Sequence, residues 1–341
     1  MTERYSRQIL FPGIGRNGQD ALQSKHVLII GAGALGAANA EMIVRAGMGR
    51  VTIVDRDYVD FSNLQRQNLY TEQDAADRLP KAEAARKRLA AVNSSTRLAA
   101  LLEDVDASFL KRILSYEKID LIIDGTDNFD IRFIINDAAQ KYRVPWVYGA
   151  CVASGGLSML IVPDQTPCLH CLMDTIPGAG ATCDTAGIIS PAVQMTASLQ
   201  TAEALKWLTG STEALRGTVF SFDLWKNQFS SVDVQRIKKQ DCPSCGSRPV
   251  YPFLSYEHTT KFAVLCGRDT VQIRPAGILK RDLHELADYI KKTAVITHQN
   301  GFLLSFHHAP YTVTAFKDGR VFIQGSSSVE ESKKVYYQYF H

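Results

Sequence analysis

The chain has 341 residues, 45% hydrophobic and 21% charged, which allows two domains with proper cores and excludes wholesale disorder. A formal net charge of +3 argues against a protein built to hold nucleic acid, and the lack of a run of about 18 apolar residues argues against a membrane span. Met1-Thr2-Glu3-Arg4-Tyr5 carries no apolar signal core and neither end a lipidation signal, so the cytoplasm is the expected location.

Residues 25–30 read as a buried strand. The turn Gly31-Ala32-Gly33-Ala34-Leu35-Gly36 follows, then a helix to about Ala46 that Gly47 and Gly49 end. Residues 50–55 read as the next strand, giving a βαβ unit whose parallel strands are buried on both faces. In that setting Gly31-x-Gly33-x-x-Gly36 is a nucleotide-binding fingerprint. Its glycines let backbone approach phosphate, and the helix opening at Ala34 offers free N–H groups. Asp55, nineteen residues past Gly36, is placed to bind ribose hydroxyls, with Asp57 close behind.

The compact polar block Ser62-Asn63-Leu64-Gln65-Arg66-Gln67 comes next, then Lys81 after Pro80, near the head of a helix over 80–92. Arg7 lies far upstream in Arg4-Tyr5-Ser6-Arg7-Gln8. Together these offer several cations to one phosphate site; each alone reads better as solvated surface charge. A dinucleotide pyrophosphate is largely served by backbone amides and a helix dipole. A triphosphate held through displacement at phosphorus needs more positive charge.

An apolar strand over 121–126 runs into Asp124-Gly125-Thr126-Asp127-Asn128. Carboxylates at the C-terminal ends of parallel strands line the ligand crevice of an open sheet, and Asp127 there suits Mg²⁺. Asp127 or Asn128 reads equally as the N-cap of a helix over 129–142. Strands at 144–152 and 157–163 read as a hairpin turning at Gly155-Gly156. Residues 174–190 read as a long loop. Ser190 is the expected N-cap of a helix to about Leu208, with Pro191 first in it, and 217–236 hold two more strands.

Seven cysteines are present. The pairs Cys168-x-x-Cys171 and Cys242-x-x-Cys245 supply four thiolates, enough to close the tetrahedral shell of a structural Zn²⁺. Without an export signal disulfides are a poor reading, and neither pair is expected to open a helix of a thioredoxin-like unit. His170 reads as a bystander. Cys183, in the loop, reads equally as a nucleophile activated near the phosphate cations or as an ordinary loop thiol. Cys151 and Cys266 read as core residues. Beyond Cys245 come strand candidates at 262–265, 271–273, 311–316 and 320–324, and helix candidates at 281–292 and 329–340. The expected fold class is α/β: a Rossmann-like doubly wound sheet with the zinc site over 1–248, and a small α+β domain over 249–341.

In this order and spacing, the motifs resemble the MoeB/ThiF family, bacterial relatives of the ubiquitin-activating enzymes. The likeness covers roughly residues 3–246: the Arg4–Gln8 segment, the glycine fingerprint, Asp55, Ser62 to Gln67, Pro80-Lys81, Thr126-Asp127-Asn128, both cysteine pairs and Thr182-Cys183. It implies an adenylyltransferase that binds ATP through Gly31, Gly33, Ala34, Gly36, Asp55, Asn63, Arg66, Lys81 and Asp127. Asp57, Ser62, Leu64, Gln65 and Asn128 are further candidate contacts. It implies a homodimer in which Arg7 reaches the partner's site, and structural zinc on Cys168, Cys171, Cys242 and Cys245. The implied substrate is a ubiquitin-like sulfur-carrier protein ending in Gly-Gly, of the MoaD or ThiS type, serving molybdopterin or thiamine thiazole synthesis. Sulfur would come from an outside donor protein or through Cys183, since the tail shows no rhodanese active-site loop. A C-terminal carboxylate, with a pKa near ~3.5, attacks phosphorus without a general base, so positioning and charge neutralisation by Arg7, Arg66, Lys81 and Mg²⁺ suffice. The rival reading, an NAD-dependent oxidoreductase, explains the fingerprint and Asp55 but leaves Arg66, Lys81 and the paired cysteines idle.

Overall fold

The structure, a computed structural model, describes residues 3–127, 129–173, 187–255, 261–265, 269–275 and 281–340. The chain divides into two compact units, Met1–Ser255 and Tyr256–His341.

In the first unit β1 (His26–Ile30), β2 (Arg50–Val54), β3 (Arg97–Leu101), β4 (Leu121–Asp124), β5 (Trp146–Val152), β6 (Gly155–Ile161), β7 (Thr218–Asp223) and β8 (Gln228–Asp233) form one sheet, ordered β3-β2-β1-β4-β5-β6-β7-β8. β1 to β5 pair in parallel; β6, β7 and β8 continue antiparallel. The helices are α1 (Ser6–Leu10), α2 (Gly15–Ser24), α3 (Ala34–Arg45), α4 (Glu72–Ala76), α5 (Lys81–Val92), α6 (Ala107–Tyr116), α7 (Phe129–Tyr142), α8 (Leu169–Met173) and α9 (Ser190–Thr209).

The alternation along β1 explains the double winding. Val27 and Ile29 pack on one face with Ile43 and Val44 of α3, Leu89 of α5 and Leu208 of α9. Leu28 and Ile30 pack on the other with Phe109 and Leu110 of α6 and Ile135 and Ala139 of α7. Burying each such side chain contributes about 1.5–3 kcal/mol, which is why the strand carries no polar alternation.

Several details differ from the sequence expectations. The β5–β6 hairpin turns at Ala153-Ser154, and Gly155 and Gly156 sit inside β6, opposite Asp223 and Phe222. A Cβ on Gly156 would lie 2.1 Å from the Thr196 hydroxyl, so this glycine serves the close approach of α9 rather than a turn. Ile189, not Ser190, is the residue before α9. Its N–H donates to the Ala153 carbonyl at 3.0 Å, which holds it extended, and the helix opens at Ser190, one residue earlier than expected, with Pro191 second. The strand at 121 ends at Asp124, because Asp124 Oδ1 accepts from the Thr126 N–H and hydroxyl and turns the chain. Cys168 does precede a helix, the five-residue α8, but that helix follows an antiparallel strand rather than belonging to a βαβ unit.

In the second unit β9 (Lys261–Leu265), β10 (Thr270–Arg274), β11 (Val295–Gln299), β12 (Leu303–His308), β13 (Tyr311–Phe316) and β14 (Val321–Gln324) form an antiparallel sheet, ordered β11-β12-β13-β14-β10-β9. The helices α10 (Leu283–Ile290) and α11 (Val329–Tyr339) bury Leu283, Ile290, Val335 and Tyr339 against Val271, Phe306 and Val313. β11 and β12 lie outside the strand candidates of the sequence. β11 alternates exposed and half-buried residues, so its apolar signal is thin. Among the described residues, no helix of either unit is long and apolar enough to cross a membrane.

Candidate nucleotide site and cysteine cluster

β1 and β4 are neighbours whose chains continue to opposite sides of the sheet, so their C-terminal ends frame a crevice at the reversal of strand order. The Gly31 N–H donates to the Val54 carbonyl and the Gly125 N–H to the Ile30 carbonyl, both at 2.8 Å. Gly31 has φ +89°, and a Cβ on it would lie 2.6 Å from the Gly125 carbonyl oxygen. A Cβ on Gly36 would lie 1.8 Å from the Gly31 oxygen. The fold's own packing demands both glycines. Gly33 differs: the nearest neighbour of its added Cβ is 4.0 Å away. It precedes α3 without a side-chain cap, leaving open backbone beside free helix N–H groups, which is what a phosphate fits.

Asp55 is fixed beside this turn. Its Oδ2 accepts from the Ala32 N–H at 2.5 Å and its Oδ1 from the Asp57 N–H at 2.6 Å. Burial pushes its pKa up, against the pull of Lys81. Lys81 is the first residue of α5 and 3% exposed. Its Nζ lies 3.3 Å from Asp57 Oδ2, and its N–H donates to the Asp57 carbonyl at 2.8 Å. Arg56 pairs with Asp104 at 3.3 Å. Lys81 is therefore a buried cation held by Asp57 and within electrostatic reach of Asp55, which itself holds the Ala32 amide of the glycine turn.

The polar block folds as a short 3-10 turn, Phe61–Asn63, capped by Asp60, which accepts from the Ser62 N–H and hydroxyl. Asn63 and Gln67 are buried, and among the described residues Asn63 Oδ1 and Gln67 Oε1 have no hydrogen-bond partner. Buried amide groups left so are uncommon in a finished core and fit a ligand-binding wall. Leu64 packs on the core, Gln65 is exposed, and the half-exposed Arg66 donates to the Ser62 carbonyl at 2.9 Å. The Tyr70 hydroxyl donates to the Ala32 carbonyl at 2.5 Å and ties the block to the glycine turn. Burial, then Asp55, raises its pKa well above the ordinary tyrosine value, so it stays a donor.

On the β4 side the turn after Asp124 presents Asp127, which is exposed and within electrostatic reach of Arg56 and Arg132. Asn128 lies outside the described residues. Arg7 is placed elsewhere. It is exposed on α1, whose Gln8 donates to the Ala46 carbonyl just past α3, while Arg4 donates to the Val92 carbonyl at the end of α5. α3 and α5 have 12 residues each, so about 18 Å of helix separates this arm from the crevice. A cleft of about 560 Å³ also lies at that far end, lined by Lys25, Arg50, Arg97, Lys118, Glu117 and Asp120. These residues follow the C-termini of α2, α3, α5 and α6, where cations answer the helix dipoles, and Asp120 and Glu117 already pair with Lys25 and Arg50.

Cys168, Cys171, Cys242 and Cys245 bring their sulfurs within 4.8 Å of one another. The Cys168–Cys242 and Cys171–Cys245 separations are 3.6 Å, with no disulfide. A tetrahedron of thiolates at 2.3 Å from Zn²⁺ requires sulfurs about 3.8 Å apart, so the cluster could hold zinc. The thiols split one another's ionisation: hydrogen bonds with Cys171 and Cys245 push Cys168 up, while those from Cys168 and Cys245 pull Cys171 down. Ser244 donates to Asp137 Oδ1 at 2.5 Å, the Leu169 N–H donates to Asn136 Oδ1 at 2.8 Å, and His170 lies beside Phe133 and Phe253. α7 and α8 thus brace the cluster. Cys151 is half-buried in β5; Cys183 and Cys266 lie outside the described residues.

Residues 5–244 match the ThiF family. The chain belongs to the ThiF family. The sulfur carrier protein ThiS adenylyltransferase of Bacillus subtilis (strain 168) is 49% identical over 339 residues, 99% of each chain. The molybdopterin-synthase adenylyltransferase of Escherichia coli (strain K12) is 35% identical over 247 residues, 71% of this chain and 96% of that protein. The crystal structure of Escherichia coli MccB is similar in fold, with a TM-score of 0.64 at 21% identity over 73% of this chain and 74% of that one.

The walls of this crevice also hold residues that the sequence motifs do not single out. Tyr70 is one, and Gln67, named above only as part of the polar block, is buried among them as a second. Gln200 on α9 is a third: it donates to the Asp124 carbonyl at 2.8 Å and accepts from Asn39 of α3 at 2.8 Å, so one side chain joins both walls. Arg132 is a fourth, with Nε 3.0 Å from Asp124 Oδ2. Tyr70 and Gln200 reach backbone carbonyls far away in sequence, and Arg132 gathers Asp124, Thr126 and Gly149 from three segments, so no spacing announces them.

Proposed function

We propose that this ThiF-family chain is an adenylyltransferase that uses ATP to activate the C-terminal carboxylate of a ubiquitin-like sulfur-carrier protein ending in Gly-Gly. The observation that carries the reading is Lys81, buried beside Asp57 and in electrostatic reach of Asp55, which anchors a glycine turn whose Gly33 leaves room for phosphate. The relatives' activities agree with it, and the full-length match in Bacillus subtilis favours a carrier of the ThiS type over the MoaD type. An NAD-dependent oxidoreductase is not favoured, because it gives that lysine no task.

The carrier's carboxylate is ionised at neutral pH and attacks the α-phosphorus of ATP, giving an acyl-adenylate and pyrophosphate. Gly31 to Gly36 and the start of α3 cradle the phosphates, Asp55 holds the ribose, and Asn63 and Gln67 complete the wall. Lys81 and Arg66 neutralise charge that develops on phosphate oxygens. Asp127 would hold Mg²⁺, which supplies further positive charge against the triphosphate. Arg7 serves the site of a second copy in a homodimer. The four paired cysteines hold a structural zinc. Sulfur then reaches the carrier from a donor protein or through Cys183, in the cytoplasm.

The test is ATP–pyrophosphate exchange with purified ThiS-type and MoaD-type carriers. Exchange dependent on the ThiS-type carrier is expected, and lost in Asp127→Ala with the fold retained. Exchange without any carrier, or none with either, would overturn the reading. Exchange with the MoaD-type carrier alone would change only the partner.

A further inference from the structure

Asp127 lies in a stretch, residues 125–127, that belongs to no helix or strand. A carboxylate that must meet a near-octahedral Mg²⁺ at about 2.1 Å needs its backbone held by something. We infer that Arg132 is a positioning residue for Asp127, the side chain that sets the Mg²⁺-facing turn from below; this rests on the proposed role of Asp127.

The geometry is specific. Arg132 is the fourth residue of α7 and 5% exposed. Its Nε donates to Asp124 Oδ2 at 3.0 Å, and its Nη2 donates to the Thr126 carbonyl at 2.6 Å and the Gly149 carbonyl at 3.1 Å. Phe129 and Tyr148 flank the guanidinium at 5.2 and 5.4 Å from their ring centres. One planar fork thus joins the end of β4, the turn and β5. Asp124 Oδ1 takes the Thr126 N–H at 2.9 Å and its hydroxyl at 2.7 Å. Thr126 is therefore held by its amide, its hydroxyl and its carbonyl, and Asp127 is the next residue out. The guanidinium thus balances the buried Asp124 charge and, through the Thr126 carbonyl, also fixes the peptide that leads into Asp127. Lysine keeps the charge but, with a single ammonium in place of a planar fork, cannot reproduce this set of bonds.

Two variants test this. Arg132→Lys keeps the charge beside Asp124. The paired Asp124→Asn and Arg132→Met removes both buried charges together, and serves if the first does not fold. Each is checked for folding by thermal unfolding. ATP affinity is then measured calorimetrically with Mg²⁺ and with chelator, and the Mg²⁺ dependence of pyrophosphate exchange is recorded. Loss of a group that orients a metal ligand typically lowers metal affinity about 10–100-fold, so half-saturating Mg²⁺ should rise by about tenfold or more. ATP affinity in chelator should stay within about twofold of the parent's, because the glycine turn and Asp55 are untouched. An unchanged Mg²⁺ requirement in a folded variant overturns the inference. So does an equal loss of ATP affinity with and without Mg²⁺, which would mark a general structural role. Asp127→Ala, in which exchange is lost, is the calorimetric control: if its ATP affinity is the same with Mg²⁺ as with chelator while the Arg132 variants keep the parent's difference, Arg132 falls and Asp127 stands. If it too keeps that difference, the Asp127 reading itself fails.

Discussion

The Tyr70 hydroxyl and the Ala32 carbonyl meet at 2.5 Å, and that single bond fastens the polar block to the glycine turn. On its other side Ala32 gives its N–H to Asp55, so the peptide groups around Ala32 are held from two directions. Tyr70→Phe removes only the oxygen and leaves a buried carbonyl with one partner fewer. The expected cost is about 1–2 kcal/mol of stability, read from urea unfolding. The apparent KM for ATP should rise several-fold, by the same amount from pH 6 to 9, because the phenol does not ionise there. An unchanged KM would show that the turn holds its shape without the tether.

The three fingerprint glycines should separate by mutation. Gly36→Ala puts a methyl into the Gly31 carbonyl, and overpacking backbone against backbone should cost roughly 3 kcal/mol or more. Gly33→Ala meets nothing nearer than the Gly125 oxygen at 4.0 Å, so thermal stability should hold within about 0.5 kcal/mol while ATP binding weakens by about tenfold or more in calorimetry. Equal ATP affinity in folded Gly33→Ala would remove the phosphate from this spot.

The contrast shows what the sequence makes legible. The β1–α3–β2 unit declares itself through a continuous apolar run, a glycine turn and an acidic strand end, all within about 30 residues, as such units do. α7 is read at its observed limits, Phe129–Tyr142, because its apolar positions repeat at helical spacing. The cysteine pairs are legible because few chemistries use that spacing. What escapes is tertiary. Arg132 looks like any helical arginine until Asp124, Thr126 and Gly149 are seen around it. Gly155-Gly156 looks like a turn until α9 is seen pressing on it.

The cysteine cluster should carry one tightly held Zn²⁺ per chain when purified without added metal, by elemental analysis. Cys242→Ser leaves three thiolates and should lose the metal and lower the Tm, since a structural site couples binding to folding. A strong chelator should lower the Tm of the parent but not that of the variant. A metal-free protein of full stability would sink the zinc assignment.

Stability should fall with acid partly through His26. Its ring is buried, Nε2 lies 2.9 Å from Thr52 Oγ1, and burial first, then Arg50, lowers its pKa; Glu117 and Asp120 only partly oppose this. Below the unfolded value of about 6.5 the unfolded chain takes up a proton that the fold refuses. Stability from neutral His26 is thus complete above that pH and is lost as pH falls toward the lowered folded value. The slope from one proton is at most about 1.4 kcal/mol per pH unit. His26→Gln should flatten the decline in Tm between pH 7.5 and 5.5. A decline of the same depth would assign the acid sensitivity to other groups.

Arg7 is expected to act in the site of a second copy. Its arm is anchored where α3 and α5 end: Tyr5 accepts from Asn93 at 2.8 Å, and Gln8 reaches Gln19 and the Ala46 carbonyl. The crevice opens where the same helices begin, about 18 Å away, which an arginine side chain cannot span. Arg7 is also exposed, which leaves its charge available to a second copy. Complementation decides it. Arg7→Ala and Lys81→Ala should each abolish exchange alone. In a mixed dimer, the crevice with an intact Lys81 belongs to the chain lacking Arg7 and receives Arg7 from the other, so one working site should return. The second crevice lacks both residues and stays dead. Activity should therefore reappear on subunit exchange in proportion to the heterodimer measured by native mass spectrometry. Heterodimers without activity would mean that Arg7 works within its own chain or has no part in adenylation.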